Sequence, residues 1–443
     1  MQEFLVFFVI VLIGVVLTVT GSSYLVDYTI MVFVFNREIR RVVDYTNHQF
    51  NAFSTISLTP MIMMGLLFLG FLWNSRVMHP RARQVFWLLL AAIGYGLVIG
   101  LQQNGIACVY QGAQYLATIG LMGYVAVSPA DDKTADRWLW TAGFAGVLAA
   151  LYGWFQYLTI PDWDAFWVQQ VGFVGYLGQL APTKMLVFST FPERGVCSFY
   201  MALVAIPILV SKRWRVAIGW PEVLLLLSCI FLTRARSGII VVLIGAVLYP
   251  ILNGGKNTGR IIVMAAMAAA ILTAAASSIP GADQIMTRFE SLFHMQDDGS
   301  FQARMTIAQT LPSVLAHPIG FGIGAVGIAG RLNGNTLGAG GDNGWLEVMM
   351  SLGAPGFMLF VGGLVLLWRY FSLLNRLGVQ DDYLGLARTF FVAALIFTWV
   401  NNFFIDFSVM WIAFGRVLSP RMLEKVHPEI MEFVESQTAE AVS

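Results

Sequence analysis

Long, nearly uncharged apolar runs recur from one end of the chain to the other, at residues 4–20, 58–73, 85–101, 105–127, 138–158, 196–210, 216–232, 239–252, 261–275, 345–368, 386–400 and 407–414. A bilayer hydrocarbon core about 30 Å thick takes roughly 20 residues of helix per crossing, so the runs read as membrane spans. They predict an all-α, polytopic integral membrane protein of about 12 transmembrane helices (about 11 to 13) with one large extracytoplasmic loop. Composition agrees: 58% of the 443 residues are apolar, 12% are charged and the mean hydropathy is +0.72, which excludes a soluble cytosolic enzyme. Residues 24–35 are apolar but short and hold Asp27, and read either as a thin further crossing or as a segment lying in the interface. The first run follows Met-Gln-Glu with no basic lead, which predicts a retained segment rather than a cleaved signal peptide.

The 26 basic and 25 acidic residues leave a formal net charge of +1, which argues against a polyanion-coating domain and against nucleic acid as a partner. Cys108, Cys197 and Cys229 lie in or beside apolar runs with no spacing that suggests a disulfide framework or a metal site, so neither a metal nor another cofactor is expected. Lys and Arg in short loops stay on the cytoplasmic side. Clusters at Arg76, Arg81 and Arg83, at Lys133 and Arg137, at Lys212, Arg213 and Arg215, at Lys256 and Arg260, at Arg369, Arg376 and Arg388, and at Arg416, Arg421 and Lys425 occupy every second loop. This threading puts the C-terminus in the cytoplasm and residues 161–195 and 277–342 outside. It divides the chain into N-terminal spans 1–127, central spans 128–276 with the outer loop 161–195, an extracytoplasmic segment 277–342, C-terminal spans 343–419 and a cytoplasmic tail 420–443. Arg37, Arg40 and Arg41 then fall outside against the rule, so either the 24–35 segment is misread or these arginines are held there for a purpose.

Ionisable residues at the wrong end of a span are functional candidates, and Arg194, Arg234, Arg236, Arg288, Arg304 and Arg331 form the outer set. Arg234 and Arg236 sit in Thr233-Arg234-Ala235-Arg236-Ser237-Gly238, a very short turn between two apolar runs. Guanidinium forks bind phosphate oxygens bidentately, which makes the arginines a candidate pyrophosphate clamp; the competing reading is anchorage to lipid headgroups. Asp342 and Asn343 open the next span, as a helix cap or, for Asp342, as a general base for an attacking hydroxyl. Residues 302–316 read as an amphipathic helix stopped by His317-Pro318, and the glycines that follow permit sharp turns and close backbone approach. Trp154, Trp163, Trp167 and Tyr176 lie at or beyond an outer span end, where rings stack on sugars or form the interfacial aromatic belt.

The order of these motifs resembles the O-antigen ligase and Wzy-type polysaccharide polymerase superfamily over residues 188–414. The matching strings are Phe191-Pro192-Glu193-Arg194-Gly195, Ala235-Arg236-Ser237-Gly238, Arg288 with Asp298, Ser300 and Arg304, then Pro318-Ile319-Gly320-Phe321-Gly322-Ile323-Gly324, and Asp342-Asn343 followed by Trp345-Leu346-Glu347 and Gly353. The resemblance implies a GT-C-like, metal-independent helical glycosyltransferase at the periplasmic face of the bacterial inner membrane. Its donor would be an undecaprenyl-pyrophosphate-linked oligosaccharide, with membrane lipid around it and chain-length-regulating or export-complex proteins as further partners. It implies Arg236 and Arg304 as catalytic pyrophosphate ligands, Arg194 and Arg288 as further ligands, Asp342 as base, and Trp154, Trp163, Trp167, Asn343 and Glu347 as candidate glycan contacts. Ligases of that superfamily have histidine where this chain has Asp342, which favours a repeat-unit polymerase for exopolysaccharide or O-antigen over a ligase acting on lipid A core. A transporter or flippase of lipid-linked glycan is the reading from another class; it predicts internal repeats and ionisable residues at the bilayer midplane, neither of which the chain displays.

Overall fold

The computed structural model describes residues 2–51, 54–172, 177–215, 219–253, 311–332, 343–399, 402–405 and 408–425. Among them the fold is all-helical, with a single isolated bridge between Gly178 and Met185 and no strand. The helices are α1 (Gln2–Val19), α2 (Tyr24–Thr46), α3 (Thr59–Asn74), α4 (Pro80–Gln103), α5 (Gly105–Val127), α6 (Asp132–Thr159), α7 (Asp162–Val171) and α8 (Arg194–Val210). They continue as α9 (Trp220–Thr233), α10 (Arg236–Asn253), α11 (Leu311–Leu315), α12 (Gly327–Leu332), α13 (Gly344–Arg376), α14 (Asp382–Phe397), α15 (Val409–Leu418) and α16 (Pro420–Leu423).

Among the described residues six helical stretches are long and apolar enough to cross a bilayer: Gln2–Val19, Thr55–Val77, Pro80–Gln103, Asp132–Thr159, Arg236–Asn253 and Gly344–Arg376. Arg194–Val210, Trp220–Thr233 and Val409–Leu418 are shorter apolar helices. Each matches a run read from the sequence to within a few residues, except that α13 continues from Trp368 to Arg376. The expected run at 261–275, and the first residues of the expected amphipathic helix at 302–316, lie outside the described residues; α11 ends before His317-Pro318 as the proline requires. The 24–35 segment is the first part of a longer helix, because the polar residues beyond Phe35 carry α2 on to Thr46.

The chain forms two compact units, 1–66 with 130–302 and 67–129 with 303–443. In the first, α8 packs on both α9 and α10 and α2 packs on α6 and α7. A Cβ on Gly238 would lie within 2.0 Å of Ser198 Oγ, and one on Gly245 within 2.4 Å of Ile206. These contacts advance together along both helices, so α8 and α10 run parallel with their N-termini at one end.

In the second unit α4 and α13 form the most extensive helix pair. Gly96 meets Leu352, Gly356 meets Tyr95 and Gly363 meets Leu89, a falling register that makes the pair antiparallel. Helix α13 is broken at Gly353 (φ 60°), and the glycine-rich segment 318–324 fills the break: Ala354 N donates to Pro318 O at 2.7 Å and Phe321 N to Met350 O at 2.8 Å. Met350 O and Ala354 N, two of the backbone groups beside the kink, are thereby satisfied, as irregular chain at membrane depth requires.

Candidate functional site

The parallel start of α8 and α10 sets the geometry of the first unit. Arg194 is the first residue of α8 and Arg236 the first of α10. Arg234 caps the C-terminus of α9 in the left-handed region (φ 53°), which turns the chain sharply enough for α10 to begin two residues later. The Ser198 hydroxyl donates to Ala235 O at 3.2 Å and ties the first turn of α8 to this turn. Arg194, Arg234 and Arg236 therefore share one end of the bundle, each half-buried. Neither α8 nor α10 carries an acidic residue in its first turn, and among the described residues the carboxylate at this start is Glu193, the N-cap of α8. Two parallel helix N-termini present partial positive charge and backbone N–H groups at the same end. The arrangement favours a multiply charged anion, since guanidinium bonds to such oxygens are worth about 1.5–3 kcal/mol each.

The approach to Arg194 is a non-helical strap, residues 178–193, and the positions that hold it escaped the sequence reading. Phe188 N and Ser189 N both donate to Gln156 Oε1, at 3.0 and 2.9 Å, Thr183 N donates to Tyr157 O at 2.8 Å, and Val187 N to Leu232 O at 3.4 Å. Arg41, 1% exposed, donates through Nη2 to Ser189 O at 2.6 Å and pairs through Nη1 with Asp164 and through Nη2 with Glu38. Its guanidinium also lies 4.8 Å from the Phe188 ring centroid and 5.8 Å from that of Trp167. Asp164, fully buried, accepts in addition from Tyr152 Oη at 2.8 Å and Gln156 Nε2 at 2.6 Å. A buried carboxylate needs donors on both oxygens, and Arg41, Tyr152 and Gln156 supply them. Arg41 joins α2 to α7 and the strap, while Arg40 pairs with Asp44 and donates to Asn51 O at 2.6 Å. The charges that pair stand in the sequence as two separate strings, Arg40-Arg41 and Asp162-Trp163-Asp164, with no local mark that they meet.

The aromatic candidates are occupied by protein. Trp167 is buried with Val168, Leu177, Met185, Leu186 and Phe188. Trp163 Nε1 donates to Glu38 and to Tyr152 Oη, and Trp154 Nε1 donates to Ser228 Oγ at 2.8 Å. Tyr176, Arg288, Arg304 and Asp342 lie outside the described residues.

Asn343 and Glu347 belong to the second unit. Asn343 is the N-cap of α13, its side-chain oxygen accepting from Leu346 N at 3.1 Å. Glu347 is buried, accepting from Gln111 Nε2 at 2.8 Å and Asn402 Nδ2 at 3.1 Å, and Asn402 also donates to Tyr115 Oη at 2.8 Å. Gln111 accepts from Gly324 N at 2.6 Å, so a single amide side chain links Glu347 to the glycine-rich segment. Asn104 Nδ2 donates to the carbonyls of Phe321 and Ile323 at 2.8 and 3.1 Å. Gly322 and Gly324 have positive φ, and a Cβ on either would lie 2.4 Å from backbone nitrogen, of Gly100 and Cys108 respectively. The glycines are thus needed for close packing on α4 and α5. Among the described residues no cluster of three or more His, Cys, Asp or Glu side chains could hold a metal.

A bundle of apolar helices, six of them among the described residues long enough to cross a bilayer, defines a multi-pass membrane protein. Residues 221–361 match the family model described as O-antigen ligase. The resemblance read from the sequence holds over that stretch, which includes Arg234, Arg236, the glycine-rich segment and the opening of α13, and there the chain is O-antigen ligase-like. No curated protein matches the chain.

Proposed function

We propose that the chain is a periplasm-facing glycosyltransferase of the bacterial inner membrane that polymerises undecaprenyl-pyrophosphate-linked oligosaccharide units into exopolysaccharide or O-antigen. The observation that carries this reading is the convergence of Arg194, Arg234 and Arg236 at the joint start of α8 and α10. In this reading Arg236 and Arg304, with Arg194 and Arg288, hold the donor's pyrophosphate. Asp342 accepts the proton of an acceptor hydroxyl as its oxygen bonds the reducing-end anomeric carbon. The bond from that carbon to the pyrophosphate oxygen breaks, and the guanidiniums stabilise the charge that develops on the leaving group, so the step needs no metal. In this reading the bundle has about 12 spans.

The description of the matched family favours a second reading, transfer of the lipid-linked glycan to lipid A core. Purified protein in nanodiscs, given undecaprenyl-pyrophosphate-linked repeat units alone, separates the two. A ladder of longer lipid-linked glycans, lost in Arg236→Ala and Arg304→Ala, supports polymerisation. Product that forms only after lipid A core is added supports ligation. No product in either condition overturns the transferase reading in favour of transport, and loss in Asp342→Ala with retention in Asp342→His distinguishes a base from a cap.

A further inference from the structure

The second unit carries another arginine-lined feature, at the end of α13 remote from Asn343. Because α4 and α13 are antiparallel, the C-terminal turns of α13 lie beside the first turns of α4. Between them is a cleft of about 640 Å³ lined by Arg81, Gln84, Trp368, Arg369, Tyr370 and Arg376, among others. Arg81, Arg369 and Arg376 are exposed and form no ion pair with a carboxylate among the described residues. Asp381, the acid just beyond Arg376, is committed to Lys425 and caps α14 through Tyr383 N. A fourth guanidinium, Arg388, sits 5.9 Å over the Trp368 ring and donates to Asn375 Oδ1 at 2.8 Å.

Tyr370 supplies the second, independent observation. It lines the cleft, is 4% exposed, and its phenolic oxygen has no hydrogen-bond partner among the described residues. Buried hydroxyls are as a rule hydrogen-bonded, so this phenol is a donor available to a ligand in the cleft. Arg81, Arg369 and Arg376, without a carboxylate partner among the described residues, supply the rest of the recognition. Leu366 and Leu373 give the same cleft an apolar side.

We infer that this cleft binds a phosphate-bearing anion, held by Arg81, Arg369 and Arg376 with the Tyr370 hydroxyl as a neutral donor. An acidic phospholipid headgroup and free phosphate are two sources of that chemistry. The basic loops place the cleft at the cytoplasmic ends of the spans, where anionic headgroups gather and inter-helical basic pockets take them up. The inference does not depend on the transferase reading, since none of these residues belongs to the arginine end of the first unit.

Native mass spectrometry of the purified full-length protein, titrated with phosphatidylglycerol or phosphatidylcholine and separately with inorganic phosphate, tests it. The expected result is about tenfold preferential retention of phosphatidylglycerol over phosphatidylcholine, lost in the triple variant Arg81→Gln, Arg369→Gln, Arg376→Gln. Tyr370→Phe, which keeps the ring and its packing, weakens retention about threefold, within the range for one neutral hydrogen bond. Arg76→Gln with Arg83→Gln, basic neighbours that do not line the cleft, leaves it unchanged. Displacement of the lipid by millimolar phosphate identifies the phosphate itself as the recognised group; retained lipid despite phosphate identifies the whole headgroup. Equal retention of both lipids together with no phosphate binding overturns the inference, as does wild-type retention by the triple variant with an unchanged melting temperature.

Discussion

The strap of the first unit and the glycine-rich segment of the second both hold irregular backbone against a helical bundle, and they do so by opposite means. The strap is fastened by charge: Arg41 bridges Glu38, Asp164 and the Ser189 carbonyl from a fully buried position. The glycine-rich segment is fastened by neutral amides, Asn104 and Gln111, and by backbone laid directly on backbone at Gly322 and Gly324. A buried charge network concentrates its stabilisation in one residue, because removing one ion strands the others. Backbone packing spreads the same task over many positions, each intolerant of added volume and none of them indispensable electrically.

Arg41→Met breaks that contrast most severely. It leaves Asp164 and Glu38 without their guanidinium and is expected to cost about 3–5 kcal/mol, read as a lowered melting temperature in detergent and faster amide exchange across 177–191. Gly322→Ala attacks the other mode, forcing a Cβ against Gly100 in a left-handed backbone conformation. A loss of about 3 kcal/mol is expected, with the exchange gain confined to 318–327. Glu347→Ala removes the acceptor for Gln111 and Asn402 and is expected to cost about 2 kcal/mol, largely restored by Glu347→Gln, whose carbonyl still accepts. If Glu347→Gln were as damaging as Glu347→Ala, the neutral character assigned to this fastening would fail. Asn343→Ala removes the α13 cap for about 1 kcal/mol in the same melting assay. The smallest effect concerns His79, which caps α4: burial and, after it, the Arg81 guanidinium hold its pKa below the ordinary histidine value. Arg81→Gln is expected to raise that pKa, measured by proton-detected NMR of labelled histidine, and an unchanged titration would remove Arg81 from its surroundings.

What the sequence made legible was whatever depends on near neighbours. Helix spans followed from apolar run length, the stop after α11 from His317-Pro318, and the start of α13 from Asn343. The glycines at 320–324 could be read as marks of close approach, but not the identity of the helices approached, because Gly100 and Cys108 lie more than two hundred positions earlier. Arg41 was conspicuous as a cation on the wrong side, yet its partner Asp164 is 123 residues away and carries no local mark of burial. Trp163 and Trp167 show the reverse: ring chemistry made them candidates for sugar stacking, whereas tertiary packing assigns their faces and N–H groups to neighbouring side chains. The clustering of Arg194 with Arg236 required the parallel pairing of α8 and α10, which local periodicity does not encode.

The break at Gly353 also bears on how α13 enters the membrane. From Ala354 to Arg376 the helix rises about 34 Å at 1.5 Å per residue, enough by itself to cross the hydrocarbon core. The portion before Gly353, with its Asn343 cap and buried Glu347, is then surplus to spanning and behaves as a half-helix whose position is set by what it docks against. Insertion into the bilayer and construction of the polar layer around Glu347 become separable events along one continuous stretch of chain. A substitution in the half-helix would therefore leave the protein membrane-integrated yet incompletely assembled.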